Sequence, residues 1–120
     1  MIENEFAERF AREWIDSWNC RDLDRILSHY SDDFEMSSPV IVQVTGEPSG
    51  VLKGKEAVGA YWAGTLQLVP DLRFELISIY MGVHSITLTY KGARGSLVAE
   101  IFHFGPDNKI VRADAHYALR

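Results

Sequence analysis

The sequence predicts an α+β fold in which helices come first and an antiparallel sheet follows. Apolar residues recur at helical spacing as far as residue 68, and every segment after Pro70 reads as strand or turn. The turns near 81–83, 92–95 and 105–108 are short enough to join neighbouring strands as hairpins. We therefore expect a meander of strands with the helices packed on one face of a curved sheet.

Three helices are predicted in the first part of the chain. Phe6, Phe10, Trp14 and Trp18 recur every four residues and predict a helix from about residue 4 to 19. Asp22 is a good N-cap for a second, shorter helix, which we expect to bury the apolar residues as far as residue 30. The third helix is predicted from about residue 55 to 68, where a proline follows. Short strands are predicted at 34–37 and 40–44, before a turn at 46–50.

Four longer strands are predicted at 72–80, 85–91, 96–104 and 109–117. If residues 105–108 form a four-residue loop, Phe104 lies opposite Lys109, and Glu100 then lies opposite Ala113. In this register one face carries an acid among apolar side chains, which are Val98, Phe102, Val111, Ala113, Ala115 and Tyr117. The opposite face carries Ile110, Arg112, Asp114 and His116.

Glu100 is the most informative residue, because it is a carboxyl group on the face that the helices should cover. Burial should disfavour its charged form. Ala113 and Ala115 are small, so we expect space beside the acid, and such space at the mouth of a curved sheet suits a ligand. Two interpretations stay open. Glu100 is either a pocket acid that donates a hydrogen bond or a proton, or a structural acid bonded to a nearby Tyr or Trp.

Composition narrows the class of protein. The 120 residues carry a net charge of −5, which argues against nucleic acid or an anionic membrane as the partner. No apolar run is long enough to span a membrane, no signal peptide is recognisable, and the single Cys20 forms no internal disulfide. No cofactor motif or metal-ligand spacing is present, so we expect neither cofactor nor metal. We expect one domain over residues 1–120 and a cytoplasmic location.

Several stretches together resemble a known family. They are Trp18-Asn19-Cys20-Arg21-Asp22-Leu23-Asp24, Tyr30-Ser31-Asp32-Asp33-Phe34, Ser38-Pro39, Gly50-Val51-Leu52-Lys53-Gly54-Lys55-Glu56-Ala57, Phe102-His103-Phe104 and Asn108-Lys109-Ile110-Val111. The chain resembles the SnoaL-like branch of the nuclear transport factor 2-like superfamily and, within it, is similar to ketosteroid isomerase. This resemblance implies a cone-shaped half-barrel of a mostly antiparallel sheet wrapped around the helices, with a deep pocket. It also implies a homodimer formed through the outer face of the sheet.

The resemblance also suggests site residues. The position of the isomerase's catalytic base is Ser38 here, and a hydroxyl without an activating base cannot do that work near neutral pH. Its two oxyanion donors correspond to Trp14 and Glu100, and His84 lies in the segment that supplies pocket wall, where it could pair with Glu100. Residues implied as ligand contacts are Trp18, Tyr30, Ser38, Tyr61, Trp62, Phe102, Ala113, Ala115 and Tyr117. The segment 41–49 is predicted to form a flap over the pocket mouth.

Two classes of function follow from these observations. The first is a small-molecule-binding pocket protein that acts as a cofactor-free acid/base enzyme of the isomerase, cyclase or hydrolase type on an apolar or aromatic ligand. The second is a non-catalytic ligand-binding or dimeric association module.

Overall fold

The computed structural model describes residues 1–119 and confirms the predicted α+β fold. The helices are α1 (Asn4–Asn19), α2 (Leu23–Leu27), α3 (Pro39–Thr45) and α4 (Lys55–Leu68). The strands are β1 (Tyr30–Ser37), β2 (Val51–Lys53), β3 (Glu75–Met81), β4 (Ser85–Lys91), β5 (Leu97–Phe104) and β6 (Ile110–Tyr117). They form one sheet in the order β2-β1-β6-β5-β4-β3, which is antiparallel except between β1 and β6.

Helices α1, α2 and α4 confirm the predictions from periodicity and capping. The side chain of Asp22 accepts a hydrogen bond from the backbone N–H of Arg25 at 3.1 Å and so caps α2. The predicted end of α2 was wrong, because Tyr30 already belongs to β1 and pairs with Ile110 of β6. Pairing with a distant strand here outweighs the local helical pattern.

Residues 40–44 were predicted to be a strand, and this prediction was wrong. They lie in α3, where the Ser38 hydroxyl accepts a hydrogen bond from the Val40 N–H at 3.1 Å and Pro39 occupies the first turn. Gly46 ends the helix in the left-handed conformation, with φ of 77°. The β-branched run favours a strand, but its two caps fix a helix.

The register of β5 and β6 differs from the prediction by two residues. Glu100 lies opposite Ala115, and Phe102 lies opposite Ala113. One residue of this difference comes from the loop, because Phe104 pairs with Ile110 rather than with Lys109. The other comes from an irregularity between His103 and Phe104 that adds a residue to β6, so that Ile110 is buried and Val111 is 42% exposed. A shift of two residues keeps Glu100, Ala113 and Ala115 on the same face of the sheet.

The helices cover one face of the sheet, here called the inner face. Between the helices and the inner face lies a set of buried aromatic residues, which we call the aromatic cluster. Its members are Trp14, Trp18, Tyr30, Phe34, Trp62, Phe74, Tyr90 and Phe102. The other side, here called the outer face, carries one row that crosses five strands, formed by Tyr80, Thr87, Ile101, Asp114 and Ser37. No helix in residues 1–119 combines the length and the apolar character needed to cross a bilayer.

Candidate functional site

Glu100 lies on the inner face and is 3% exposed. Its neighbours across the sheet are Leu88 on β4 and Ala115 on β6. The buried hydroxyl-bearing side chains in the described part of the chain are Ser17, Ser38, Tyr30 and Tyr90, and Glu100 is the one carboxyl group in this core. The predicted burial of this residue is therefore confirmed.

Tyr90 supplies the hydrogen bond that Glu100 receives. The Tyr90 hydroxyl, two residues along β4 from Leu88, donates to Glu100 Oε1 at 2.6 Å. Burial raises the pKa of Glu100 to about 7, and the bond from Tyr90 offsets part of that rise. Near neutral pH the group therefore exists in both protonation states, as a general acid requires.

Four tyrosines surround this carboxyl group. Tyr30 and Tyr90 are fully enclosed, and their pKa values are raised mainly by burial and secondly by the negative charge of Glu100. Burial and the negative charge of Glu100 also raise the pKa of Tyr117. The pKa of Tyr61 is raised to about 12, mainly by burial and to a smaller extent by the charges of Tyr117 and Glu100. Tyr61 is half-buried and Tyr117 is 41% exposed. Tyr61 and Tyr117 are therefore the two of these four tyrosines that reach the solvent.

Trp14 lies beside the acid but does not donate to it. The Trp14 indole N–H donates to the Tyr30 hydroxyl at 3.0 Å, inside the core. The Tyr30 hydroxyl accepts this hydrogen bond and keeps its own proton for another partner. Ser38 caps α3, and a hydrogen bond from its side chain to Tyr117 counteracts part of the rise in the tyrosine's pKa.

The remaining candidates divide into two groups. Trp18, Trp62, Phe102, Ala113 and Ala115 are all buried on the inner side of the sheet. His84 lies in the exposed turn between β3 and β4, four residues before the Leu88 that faces Glu100. Four strand residues span about 13 Å, so the predicted pairing of His84 with Glu100 is wrong.

Sequence reasoning missed Tyr90 and Phe74. Ile86, Leu88 and Tyr90 alternate along β4, and this pattern places the tyrosine on the inner face. Phe74 packs on Tyr90 with ring centroids 4.7 Å apart and on Trp14 at 5.6 Å. No local pattern marks it, because it lies just before β3 and reaches the cluster through tertiary packing.

A second polar cluster lies on the outer face. The Ser37 hydroxyl donates to Asp114 Oδ1 at 2.6 Å, Arg112 Nε lies 3.1 Å from Oδ2, and His103 Nε2 lies 3.4 Å from Oδ2. Burial alone would raise the pKa of Asp114, but the Ser37 bond and the Arg112 charge hold it below its ordinary value. Within residues 1–119, no three His, Cys, Asp or Glu side chains converge in a way that could hold a metal ion.

Comparison with known proteins agrees with this geometry. The sequence profile of the SnoaL-like domain matches residues 11–113. A structure of a SnoaL-like protein of unknown function from Burkholderia thailandensis is 60% identical, covers 98% of both chains and gives a TM-score of 0.96. The chain therefore belongs to the SnoaL-like domain family. No curated protein matches the chain.

More distant structures share the fold alone. An NTF2-like protein of unknown function from Cytophaga hutchinsonii is 12% identical over 98% of this chain and 92% of its own, with a TM-score of 0.70. The epoxide hydrolase/cyclase-like enzyme SalBIII, which acts in pyran ring formation in the polyether salinomycin, is 15% identical over 99% of this chain and 95% of its own, with a TM-score of 0.76. The SnoaL-like family thus has structural neighbours of enzyme type, while the 60% identical relative has no known function.

Proposed function

We propose that the protein binds an apolar or aromatic small molecule on the inner face of its sheet and that Glu100 donates a hydrogen bond or a proton to it. The observation that carries this proposal is one acid, 3% exposed, held in an aromatic cluster with its pKa raised to about 7. The hydrogen bond from Tyr90 is common to the structural and the functional interpretation, so the burial and the raised pKa support this proposal rather than that bond.

Cofactor-free acid/base chemistry is the reaction type that suits these groups. A neutral Glu100 can protonate or polarise a carbonyl or epoxide oxygen, and Tyr30 can add a second hydrogen bond through its unassigned proton. This supports a reaction of the isomerase, cyclase or hydrolase type. We therefore propose Glu100 as the acid, with Trp14 acting through Tyr30 rather than on the ligand.

The non-catalytic alternative also has a specific observation in its favour. Ser38 stands where the similar isomerase has its base, and here its oxygen accepts the hydrogen bond that caps α3. A serine hydroxyl bonded to a backbone N–H and to Tyr117 is not activated to abstract a proton from carbon near neutral pH. The inner face would then hold a ligand without transforming it.

An NMR titration combined with a ligand assay tests the proposal. With 2-acetylnaphthalene as probe, wild-type protein should bind more tightly at pH 6 than at pH 8, because only protonated Glu100 donates. Glu100→Gln should remove this pH dependence, whereas Glu35→Gln, which alters an exposed carboxyl group on β1, should retain it. Failure of the wild-type protein to bind, or identical pH profiles for wild type and Glu100→Gln, would contradict the role of Glu100.

Proton exchange separates the two functions. In D2O, catalysis should speed the loss of the acetyl proton signal of bound 2-acetylnaphthalene relative to free probe. Glu100→Gln should abolish that acceleration. Binding that depends on Glu100 without any acceleration would favour the non-catalytic alternative.

We propose that ligands enter past Tyr61 and Tyr117, with residues 41–49 as the flap. Ile41 is fully buried and anchors α3, while Val42 and Val44 are 41% and 54% exposed. Ser38 and Gly50 bracket this segment through a backbone hydrogen bond of 3.0 Å. A variant that joins Pro39 to Gly50 through a short glycine linker should bind and release 2-acetylnaphthalene faster. Unchanged rates would exclude the flap.

A homodimer through the outer face is part of the same proposal. Tyr80 and Leu97 are 61% and 51% exposed there, and Ile101 lies half-buried between them and Asp114. Ile101→Glu should convert a dimer into a monomer in sedimentation analysis, since it adds a charge to an apolar contact. A wild-type protein that sediments as a monomer would exclude the dimer.

We also propose a cytoplasmic location, which suits an exposed free thiol at Cys20.

A further inference from the structure

A groove of about 310 Å³ lies where the loop between β4 and β5 meets the end of β6. Its walls are residues 94–97 and residues 117–119, and we call it the loop groove. The backbone N–H of Ala118 donates to the Leu97 carbonyl at 2.9 Å, so the two walls are tied together. The volume is at the lower end of the range for small-molecule sites, which is about 300–1,000 Å³.

The loop groove combines a cation with apolar surface. Leu97 and Leu119 are 51% and 100% exposed, and Tyr117 is 41% exposed. Among the described residues that line the groove, Arg94 is the one with a charged side chain. A larger depression on the surface of α1 differs, because only charged side chains line it and all of them belong to that helix. The loop groove is therefore the better-formed ligand site of the two.

Arg94 has a backbone conformation that its side chain does not explain within the fold. Its φ is 57°, in the left-handed region that favours Gly or Asn. Arg21 has a similar φ of 58°, and its guanidinium group donates to the carbonyls of Leu66 and Val69 at the end of α4. Within residues 1–119, the guanidinium group of Arg94 has neither such an acceptor nor a carboxylate partner. Its charge is therefore available to a ligand.

Backbone hydrogen bonds hold the loop that carries Arg94. The Gly92 N–H donates to the Ser96 carbonyl at 2.8 Å, and the Ser96 N–H donates to the Ala93 carbonyl at 3.1 Å. These bonds close the loop on both sides of the arginine. The cation thus starts from a defined backbone position, which lowers the cost of ordering it on a ligand.

We infer that the loop groove is a second small-molecule site, separate from the one proposed at Glu100, and that it binds a small organic monocarboxylate with a short apolar chain. The guanidinium group of Arg94 matches a carboxylate through two parallel N–H···O bonds. Leu97, Leu119 and the Tyr117 ring cover the apolar chain. One cation matches one negative charge, and the apolar walls favour such a compound over an inorganic anion.

Glu100 and the loop groove lie at different places on the sheet. Tyr117 pairs with Val98, two residues before Glu100 along β5, and Leu97 lies one residue further from Glu100. Glu100 is 3% exposed, whereas the side chains in the walls of the groove reach the solvent. Tyr117 is common to the groove and the proposed ligand entrance. Occupation of the groove nevertheless requires neither Glu100 nor the aromatic cluster.

Isovalerate and its neutral isostere isovaleramide test the inference on the whole chain. In nitrogen-15 NMR spectra, isovalerate should shift the backbone signals of residues 94–97 and 117–119. Wild-type protein should bind isovalerate about 3- to 10-fold more tightly than isovaleramide, which is the value of one net hydrogen bond. The Nε–H signal of Arg94 should move downfield with isovalerate and stay in place with isovaleramide.

Exposed substitutions separate the arginine from the apolar walls without disturbing the core. Arg94→Gln should bind isovalerate and isovaleramide equally. Arg73→Gln, which removes an exposed arginine outside the groove, should keep the preference for isovalerate. Leu119→Ser should weaken the binding of both compounds and keep that preference. Glu100→Gln should bind isovalerate as wild type does.

Four results would overturn the inference. They are no binding of isovalerate, equal affinity of wild type for the two compounds, wild-type affinity for isovalerate in Arg94→Gln, and inorganic phosphate that binds as tightly as isovalerate. Loss of isovalerate binding in Glu100→Gln would place the compound on the inner face and would also exclude a second site. The role of Glu100 is tested with the neutral probe 2-acetylnaphthalene, so each proposal can fail while the other holds.

Discussion

Two carboxyl groups on neighbouring strands show how the two faces of this sheet differ. Glu100 on β5 and Asp114 on β6 are almost adjacent, since Glu100 pairs with Ala115 and Ile101 pairs with Asp114. Glu100 faces the aromatic cluster with Tyr90 as its hydrogen-bond partner, and its pKa is raised to about 7. Asp114 faces outward with Ser37, Arg112 and His103, and its pKa is lowered.

The difference shows that environment, rather than residue type, decides what each acid can do. A carboxylate that is surrounded by a hydroxyl, a guanidinium and an imidazole stays charged and serves as the centre of a polar network. A carboxyl group that is desolvated and bonded to one neutral donor keeps its proton to a higher pH than a free carboxyl group does. The alternation of a β-strand separates these two environments by the thickness of one sheet.

The largest expected effect is a pH dependence of stability that belongs to Glu100. Its pKa is 4.5 as a free group and about 7 in the fold, so the folded protein holds the proton more tightly. Folding stability from this group is therefore complete below about pH 4.5 and falls as the pH rises towards 7, by about 3 kcal/mol in total. Urea unfolding between pH 5 and 8 should show this fall in wild type but not in Glu100→Gln.

The difference between the two proteins isolates this group from other titrations. His29, whose pKa is lowered mainly by burial, acts with the opposite sign and is present in both proteins. At pH 8 the free energy of unfolding of Glu100→Gln should exceed that of wild type by up to about 3 kcal/mol. Parallel pH profiles for the two proteins would show that Glu100 is charged in the fold.

The next effect concerns the partner of the buried acid. Tyr90→Phe removes the hydroxyl that donates a hydrogen bond to Glu100 Oε1 and keeps the ring in the aromatic cluster. It should cost about 1.5–3 kcal/mol at pH 8, where the carboxylate is charged, and less at pH 5. A carbon-13 titration should also place the pKa of Glu100 above its wild-type value, because the bond from Tyr90 lowers it.

Tyr80→Phe is the matched control for this substitution. Tyr80 is a tyrosine on the outer face with 61% of its surface exposed. The Tyr80→Phe substitution should leave both the stability of the protein and the pKa of Glu100 unchanged. If Glu100 had the same pKa in Tyr90→Phe as in wild type, Tyr90 would not be its hydrogen-bond partner.

The sequence predicted which face of the sheet each of the two carboxyl groups occupies, but it did not predict the strand register or the hydrogen bond from Tyr90. Helical periodicity located α1 and α4, and strand alternation placed Glu100 inside and Asp114 outside, because both signals are local and repeat over many residues. The extra residue near Val111 altered the register, and such irregularities leave no repeating pattern in a sequence. The bond from Tyr90 depends on how two strands align, so it could not be read from either strand alone.

The smallest expected effect belongs to the outer face. Asp114→Asn keeps the size of the side chain but removes the charge that Arg112 and His103 face. Because Arg112 is largely exposed, with 60% of its side chain accessible, the loss should stay below about 1 kcal/mol at pH 7. Since the pKa of Asp114 is lowered in the fold, its contribution is present above the free value of 3.8 and disappears as the pH falls through the lower folded value.

Salt distinguishes the two carboxyl groups in the same experiment. Ions screen an exposed pair, so 1 M NaCl should reduce the difference between wild type and Asp114→Asn. The difference between wild type and Glu100→Gln should persist, because it arises from burial rather than from an ion pair. If salt changed both differences equally, the two faces would share one electrostatic environment, and the contrast between Glu100 and Asp114 would fail.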